Sequence, residues 1–213
     1  MEARWLTVGP VQENTWIARQ PDAETAILID PGDEPDTITQ ALEELRTTPE
    51  AILITHCHFD HVGAVAEMAR RTKAPVYCPQ GEVFILENIN DFVRFPGFGP
   101  FESYSPERTV KGGDRLTLAG FEIDVISTPG HSPDHVTYSI AQEKAIFSGD
   151  VLFQGSIGRT DLPGADHQTL MESIATLLGT LPDETGVLPG HMEPTTLGRE
   201  RQTNPFLREL AAQ

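Results

Sequence analysis

Chemistry-bearing side chains are most concentrated between Thr55 and His61, where the chain reads THCHFDH. His56 and His58 are two positions apart, so their imidazoles share one face if this segment is extended. Asp60 and His61 follow at the predicted start of a helix and can turn toward a second point nearby. Imidazole nitrogen and carboxylate oxygen are ligands of zinc and related ions. The segment therefore predicts a metal site.

The same order of an apolar strand, a tight turn and a metal-type ligand recurs along the chain. AILIT leads to His56, FEIDVISTPG to His131, KAIFSG to Asp150 and TGVLPG to His191. Strands that end at one edge of a sandwich would deliver these side chains to one place, and a glycine beside a ligand lets the backbone approach closely. The candidate ligands are His56, His58, Asp60, His61, His131, Asp150 and His191.

This ligand set is too large for one tetrahedral ion. It predicts two divalent ions with a bridging carboxylate, for which Asp150 is the candidate. The first ion would take His56, His58 and His131, and the second would take Asp60, His61 and His191. Histidine-rich ligands suit Zn, whereas mixed histidine and carboxylate sites also accept Fe or Mn.

The alternative for each histidine is a structural role. A single histidine after a strand is more often hydrogen-bonded than metal-bound, but five of the seven histidines share the strand-end pattern. His135 and His167 lack the full pattern and are predicted to lie behind the ligands or on the surface. Cys57 would need a base and an orienting group to act as a nucleophile. An extended segment points it away from the histidines, so we predict a packing role.

Hydrophobic patterning predicts the elements that must position these ligands. Short β-branched and apolar runs predict strands at RWLTV, NTWIA, TAILID, AILIT, APVYC, DRLTLAG, FEIDVIST, HVTYSIA, KAIFSG and TGVLPG. Helical spacing predicts helices at EPDTITQALEELRT, HVGAVAEMARRT, EVFILENI and DHQTLMESIATLLGTL, with two short helices separated near Pro205. Since no Ser/Gly-rich linker divides the sequence, we expect one domain over 1–213, with packed sheets and helices outside.

The stretch 91–113 is predicted to be irregular. It contains Phe92, Phe95, Phe98, Phe101 and Tyr104 among Pro and Gly residues. Long loops with a side-chain core of their own often act as lids over a substrate. The sequence leaves open whether these aromatic residues close over a substrate or only shield the core.

The amino-acid composition restricts the kinds of partner expected for this chain. The chain of 213 residues has 32 acidic and 15 basic residues and a net charge of −17, which disfavours nucleic acid and an anionic membrane. The sequence has no long apolar run, and MEARWLTVGP lacks the apolar segment of a signal peptide. Cys57 and Cys78 do not make a disulfide framework. We therefore expect a cytoplasmic monomer or small homo-oligomer that acts on a small molecule.

These motifs together resemble the metallo-β-lactamase superfamily. THCHFDH fits its HxHxDH signature, and TPGHSPDH, FSGDVLF and LPGH fit its later ligand motifs in order. LIDPGD resembles its early aspartate motif, which implies that Asp30 supports the metal loop from outside the ligand set. The resemblance covers nearly the whole chain and implies an α+β fold, a four-layer αββα sandwich with metals at one edge of the sheets.

A second resemblance narrows the branch. A bridging aspartate like Asp150 is shared by glyoxalase II-type hydrolases, lactonases and tRNA-processing nucleases. GSIGRTDLPGADHQTLMESI resembles the segment around GRTD in hydroxyacylglutathione hydrolase-like proteins and in persulfide dioxygenases. The helical C-terminal domain that holds glutathione in longer glyoxalase II enzymes has no counterpart here, so the likeness is to the short bacterial branch. Asp134 stands where many relatives have glycine.

The resemblance implies thioester hydrolysis of the S-lactoylglutathione type. Metal ions lower the pKa of bound water to about 7, and a metal-bridging hydroxide would attack the carbonyl, with Asp60 and Asp150 as catalytic residues. Residues expected near the substrate or behind the metals are Arg159, Phe95, Phe98, Phe101 and Tyr104. The alternatives are a mononuclear iron persulfide dioxygenase using His56, His131 and Asp150, and a lactone or ester hydrolase. The charge disfavours a nuclease, and a binding module would not need such a site.

Overall fold

Two six-stranded sheets form the centre of the fold in the computed structural model, which describes residues 1–93 and 95–212. The first sheet keeps its strands in chain order: β1 (Glu2–Val8), β2 (Glu13–Arg19), β3 (Thr25–Ile29), β4 (Thr48–Leu53), β5 (Val76–Pro79) and β6 (Arg108–Val110). The β1–β3 strands pair antiparallel, and β3–β6 pair parallel.

The second sheet is built from the later part of the chain. Its strands begin with β7 (Arg115–Leu118), β8 (Phe121–Ser127), β9 (Val136–Ile140) and β10 (Ala145–Gly149). A small separate hairpin follows, β11 (Leu152–Phe153) and β12 (Ser156–Ile157), and then β13 (Gly186–Pro189) and β14 (Thr195–Thr196) complete the sheet. The spatial order is β14-β13-β10-β9-β8-β7, with β10 and β13 parallel.

Helices cover the outer faces of both sheets. They are α1 (Pro35–Leu45), α2 (Phe59–Val62), α3 (Val65–Thr72), α4 (Val83–Glu87), α5 (Ile89–Phe92), α6 (His167–Thr180) and α7 (Leu197–Thr203). Short 3-10 helices lie at Gln80–Glu82, Ala141–Glu143 and Pro205–Ala212. Within the described ranges, none of the helices has the length and apolar character needed to cross a membrane.

Successive side chains along a strand point to opposite faces of the sheet, and each face packs against a different layer. In β3, Ile27 belongs to the core between the two sheets, together with Tyr138 of β9. The next residue, Leu28, faces the opposite way into the core shared with Ile38 of α1. Both faces of such a strand are buried, which is why it reads as a continuous apolar run.

A third core lies between the second sheet and α6, where Ile146 of β10 clusters with Leu170 and Ile174. The helix begins at the Asp166 cap, whose carboxylate accepts a hydrogen bond from Thr169 N at 2.7 Å. Three cores between four layers confirm the predicted αββα sandwich.

Some predicted elements differ from the observed ones. The helix predicted over HVGAVAEMARRT is divided into α2 and α3, because Ala64 N donates to Pro31 O at 3.0 Å instead of continuing the first helix. β6 lies in the stretch predicted to be irregular, where Arg108–Val110 pairs with β5. β11, β12 and β14 were also not predicted, since two-residue strands carry too little pattern to detect.

Candidate metal centre

Four strands end at the same edge of the sandwich and are each followed by a predicted ligand. β4 in the first sheet leads to His56, and β8, β10 and β13 in the second lead to His131, Asp150 and His191. His56 and His131 are buried, and His191 is half-buried. The two sheets therefore bring side chains distant in sequence to one site.

The first group of ligand-type atoms consists of three imidazoles. His56 Nε2 lies 3.0 Å from His58 Nδ1, and His58 Nδ1 lies 2.8 Å from His131 Nε2. Their ligand-type atoms fall within 4.8 Å of one another. This is the set assigned to the first ion from the sequence.

The second group consists of Asp60, His61 and His191, whose ligand-type atoms also lie within 4.8 Å of one another. His191 Nε2 is 3.3 Å from Asp60 Oδ2, and His61 Nε2 is 3.9 Å from the same oxygen. The single helical turn of α2 places Asp60 and His61 here, because it rotates them away from the direction of His56 and His58.

Asp150 lies between the two groups. Its Oδ2 is 3.4 Å from His131 Nε2 and 3.5 Å from His191 Nε2, and its Oδ1 is 3.3 Å from His61 Nε2. One carboxylate thus contacts a member of each group, which is the arrangement required of a bridging ligand.

The donor set fits metal ions. His61 Nε2 and Asp150 Oδ1 are buried and lack a hydrogen-bond partner among the described residues, although they face each other. The nitrogens of the first group also face one another rather than an acceptor. Buried polar atoms left in this state are costly unless another group satisfies them. A cation between them would satisfy both groups.

The protonation states of the first group and of Asp150 suit metal binding. Burial lowers the pKa of His56 well below its usual value, and burial followed by the nearby His131 lowers the pKa of His58 to about 3. Burial alone would raise the pKa of Asp150, but the adjacent His61 and His191 hold it well below its usual value. Neutral imidazoles and an ionised carboxylate are the forms that bind metals. Burial alone would lower the pKa of His61, but the neighbouring Asp150 and Asp60 raise it well above its usual value, so an ion bound there displaces a proton.

Hydrogen bonds behind the ligands fix the orientation of three of the rings. Asp30 accepts from Thr55 N at 2.7 Å and lies 3.1 Å from His61 Nδ1, which turns His61 Nε2 toward the site. His131 Nδ1 donates to Arg159 O at 2.8 Å, and His191 Nδ1 donates to Gln12 O at 3.1 Å. Such partners orient metal ligands in general.

His135 lies behind the ligands, one of the two positions the sequence allowed. It is buried, and its Nε2 accepts from Asp150 N at 3.2 Å. Its Nδ1 lies 3.0 Å from Thr128 Oγ1. It therefore anchors the backbone of the bridging residue, whereas His167 is exposed at the start of α6.

Glycines allow the loops to meet. A Cβ atom on Gly158, in the GRTD segment, would lie 1.9 Å from Asp150 O. A Cβ on Gly190, in LPGH, would lie 2.5 Å from Asp150 Oδ1 and 2.6 Å from His61 Cε1. A side chain at Gly158 would displace the backbone of Asp150, and one at Gly190 would displace its carboxylate.

Glu82 joins two ligand loops and was not identified from the sequence. This buried carboxylate accepts from Cys57 N at 2.9 Å with one oxygen, and from Ser132 Oγ and Asp134 N with the other. The Asp134 carboxylate in turn accepts from Gly81 N. The only sequence signal was an acidic residue soon after a strand.

Substituting Glu82→Gln is expected to weaken metal binding about 10- to 100-fold, the usual effect of losing a partner behind the ligands. Glutamine retains one oxygen acceptor, so it cannot accept from Cys57 N and from Asp134 N through two separate oxygens as Glu82 does. The measurement is metal affinity by competition with a chelator in the folded variant. Exposed Glu87, on α4, supplies the control E87Q, which should bind as wild type. Unchanged affinity in E82Q would contradict the positioning role.

Cys57 is a buried packing residue. It is 1% exposed, and its Sγ lies 3.6 Å from Cys78 Sγ. Burial raises the pKa of its thiol well above the usual value, so the nucleophilic thiolate is disfavoured.

Cys57→Ala is therefore expected to keep turnover within about twofold of wild type. Stability should fall by roughly 0.5–3 kcal/mol, as for most buried substitutions. Steady-state kinetics and denaturant unfolding measure the two effects separately. Loss of turnover in a folded, fully metallated variant would contradict the packing assignment.

A cavity of about 1100 Å³ opens above the ligand groups. Phe95, Phe98 and Arg159 line it, but the guanidinium of Arg159 is held by both carboxylate oxygens of Asp161 at 2.7 Å. Tyr104 is placed elsewhere, with its hydroxyl donating to Glu107 at 2.7 Å. Phe101 packs on the outer core. The irregular stretch thus serves both as a cavity wall and as a cover for the core.

Comparison with known proteins gives consistent matches. The family model of the metallo-beta-lactamase superfamily matches residues 8–191. The chain is 39% identical to the probable metallo-hydrolase YqgX of Bacillus subtilis (strain 168), covering 97% of this chain and 98% of that protein. It is 37% identical to the hydroxyacylglutathione hydrolase GloC of Haemophilus influenzae, covering 87% and 89%.

Solved structures agree with these matches. BLEG-1, described as a B3 metallo-beta-lactamase, superposes with a TM-score of 0.90 at 39% identity, covering 97% of this chain and 99% of that one. TTHA1623 in a di-iron-bound form superposes with a TM-score of 0.86 at 42% identity, covering 96% of this chain and 100% of that one. ETHE1 from Myxococcus xanthus gives 0.77 at 29% identity, covering 96% and 84%.

Proposed function

Since the chain belongs to the metallo-beta-lactamase superfamily, we propose that this metal-dependent hydrolase is a thioesterase of the glyoxalase II type. The observation that carries the proposal is the pair of ligand groups sharing Asp150 beneath an open cavity. The likeness to GloC, which is named a hydroxyacylglutathione hydrolase, supports hydrolysis of a thioester bond. The likeness to YqgX supports metal-dependent hydrolysis in general.

The groups that hold the ions would be the seven ligand residues, with Asp150 between the two sets. When bound, two divalent ions supply an activated water and polarise the carbonyl that it attacks. Asp60 lines the cavity and is only partly buried, which supports assigning its carboxylate to orient the water and accept its proton. Returning that proton to the departing sulfur completes hydrolysis to a carboxylic acid and a thiol.

The second candidate is the mononuclear iron persulfide dioxygenase. This candidate is supported by the GRTD segment and by the likeness to ETHE1 and to a di-iron-bound structure. It would need only His56, His131 and Asp150. The second group, Asp60, His61 and His191, supports the two-ion hydrolase, because it offers a second set of ligand-type atoms within 4.8 Å of one another.

The test is turnover of S-lactoylglutathione and of simple acyl thioesters by protein reconstituted with Zn, Fe or Mn. Release of free thiol that depends on added metal is expected. Oxygen uptake with glutathione persulfide is measured in parallel, and a β-lactam and a lactone serve as further substrates. Oxygen uptake without thioester cleavage would replace the proposal with the dioxygenase.

A further inference from the structure

Exposed apolar side chains are concentrated around the mouth of the cavity. Five of the seven large hydrophobic residues that are exposed in the described chain line this cavity, with exposed fractions between 37% and 54%. We call this set the apolar collar: Trp5, Val11, Phe92, Phe95 and Met192. Exposed apolar patches of this kind on a soluble protein commonly mark a binding site.

One wall beneath the collar is aromatic and reaches the ligands. Phe59 sits between His58 and Asp60 in the sequence, and its ring centroid lies 4.9 Å from Phe98 and 6.0 Å from Phe95. These separations are those of favourable aromatic packing. The apolar surface is therefore continuous from the collar to the metal ligands.

A second set of apolar residues lies next to the ligands. Phe153, Ile157 and Leu162 line the cavity, and the Phe153 ring lies 5.9 Å from the ring of His191. A thioester whose carbonyl lies at the ligands would have apolar side chains around the group that extends toward solvent.

Charge along the cavity does not favour glutathione. Glu193 contributes negative charge to the lining, whereas the charges of Asp60 and Asp150, which also line the cavity, would be offset by the two ions they hold. Arg159 is the one lysine or arginine among the described lining residues. Its guanidinium already donates two hydrogen bonds to the carboxylate of Asp161. Glutathione carries carboxylates, which such a lining attracts poorly compared with an arginine free to make a bidentate pair.

We propose that the preferred substrates are thioesters with an apolar alkyl or aryl group beside the carbonyl, rather than glutathione thioesters of small polar acids. This inference rests on the thioesterase proposed above and specifies its substrate class. This apolar group contacts the collar, and it belongs either to the acyl part or to the thiol part of the thioester. Each methylene removed from water there should improve kcat/KM about three- to fourfold, until the collar is covered.

The experiment compares two substrate series in the reconstituted protein. One lengthens the acyl chain from acetyl to octanoyl on N-acetylcysteamine, and the other lengthens an alkyl thiol that carries acetyl. A rise in kcat/KM along either series, mainly through KM as expected for binding that is equal in ground and transition states, supports the inference and identifies the side. A flat response in both series overturns it.

Variants locate the effect on the collar. Phe95→Ala and Trp5→Ala should each reduce the gain in kcat/KM for octanoyl over acetyl at least threefold. Phe206 is similarly exposed but does not line the cavity, so F206A is the matched control. An unchanged chain-length gain in both collar variants would overturn the assignment.

Non-hydrolysable S-alkyl thioethers of N-acetylcysteamine separate the two proposals. Their affinity, measured by titration calorimetry, should rise with chain length whether or not turnover occurs. Length-dependent affinity without hydrolysis of any thioester would overturn the proposed function and leave the apolar collar in place. An affinity that does not change with chain length would overturn the assignment of the collar as the binding surface, even if the enzyme is active on thioesters.

Discussion

Asp150→Asn is expected to lower thioester turnover on the order of 10²- to 10³-fold, because the ions that would stabilise developing charge are held less well and losing such stabilisation has an effect of this size. The substitution preserves shape but removes the negative charge that contacts both ligand groups, at 3.4 Å from His131 Nε2 and 3.5 Å from His191 Nε2. The loss of a shared ligand should also lower the metal content of the purified protein.

Kinetics and metal analysis on the same preparation measure both effects. Asp124→Asn is the control, since that partly exposed carboxylate pairs with Arg115 away from the cavity. Thermal unfolding confirms that both variants are folded. Turnover near the wild-type level in D150N would show that Asp150 is not the bridge.

Removing the metals is expected to abolish activity and to lower Tm by roughly 10 °C. Ligand at a thousandfold excess over its Kd stabilises a protein by about 4 kcal/mol, and each kcal/mol shifts Tm by about 2–4 °C at this chain length. Without ions, His61 Nε2 and Asp150 Oδ1 remain buried and unsatisfied.

Dialysis against a chelator, followed by scanning calorimetry and assay, measures the effect. Adding Zn, Fe or Mn back should restore both Tm and turnover. The D150N variant should show a smaller Tm difference, because it holds metal less well from the start. Full activity after complete removal of metal would contradict the metal-centre assignment.

The sequence predicted the parts of the site that follow from periodicity. A ligand that follows an apolar strand can be predicted because the hydrophobic pattern shows where the strand ends. The structure brings His56, His131, Asp150 and His191 together at one edge of the sandwich. The αββα fold was predicted from the family motifs, and it is confirmed by the three cores and by the family match.

Contacts between residues distant in sequence could not be predicted. Glu82 holds Ser132 across fifty positions, and no local pattern connects them. Asp134 likewise gains a role only from its bond to Gly81 N. The roles suggested for Arg159 and Tyr104 depended on side-chain partners, Asp161 and Glu107, that the sequence left unspecified.

The most direct test of the central claim is stepwise reconstitution of the metal-free protein, with bound metal counted by mass spectrometry and S-lactoylglutathione and hexanoyl-N-acetylcysteamine hydrolysis assayed at each step. The account predicts two ions per chain, with thioester hydrolysis reaching its maximum only as the second site fills. Two bound ions without activity on either thioester, or full activity with one ion, would contradict it.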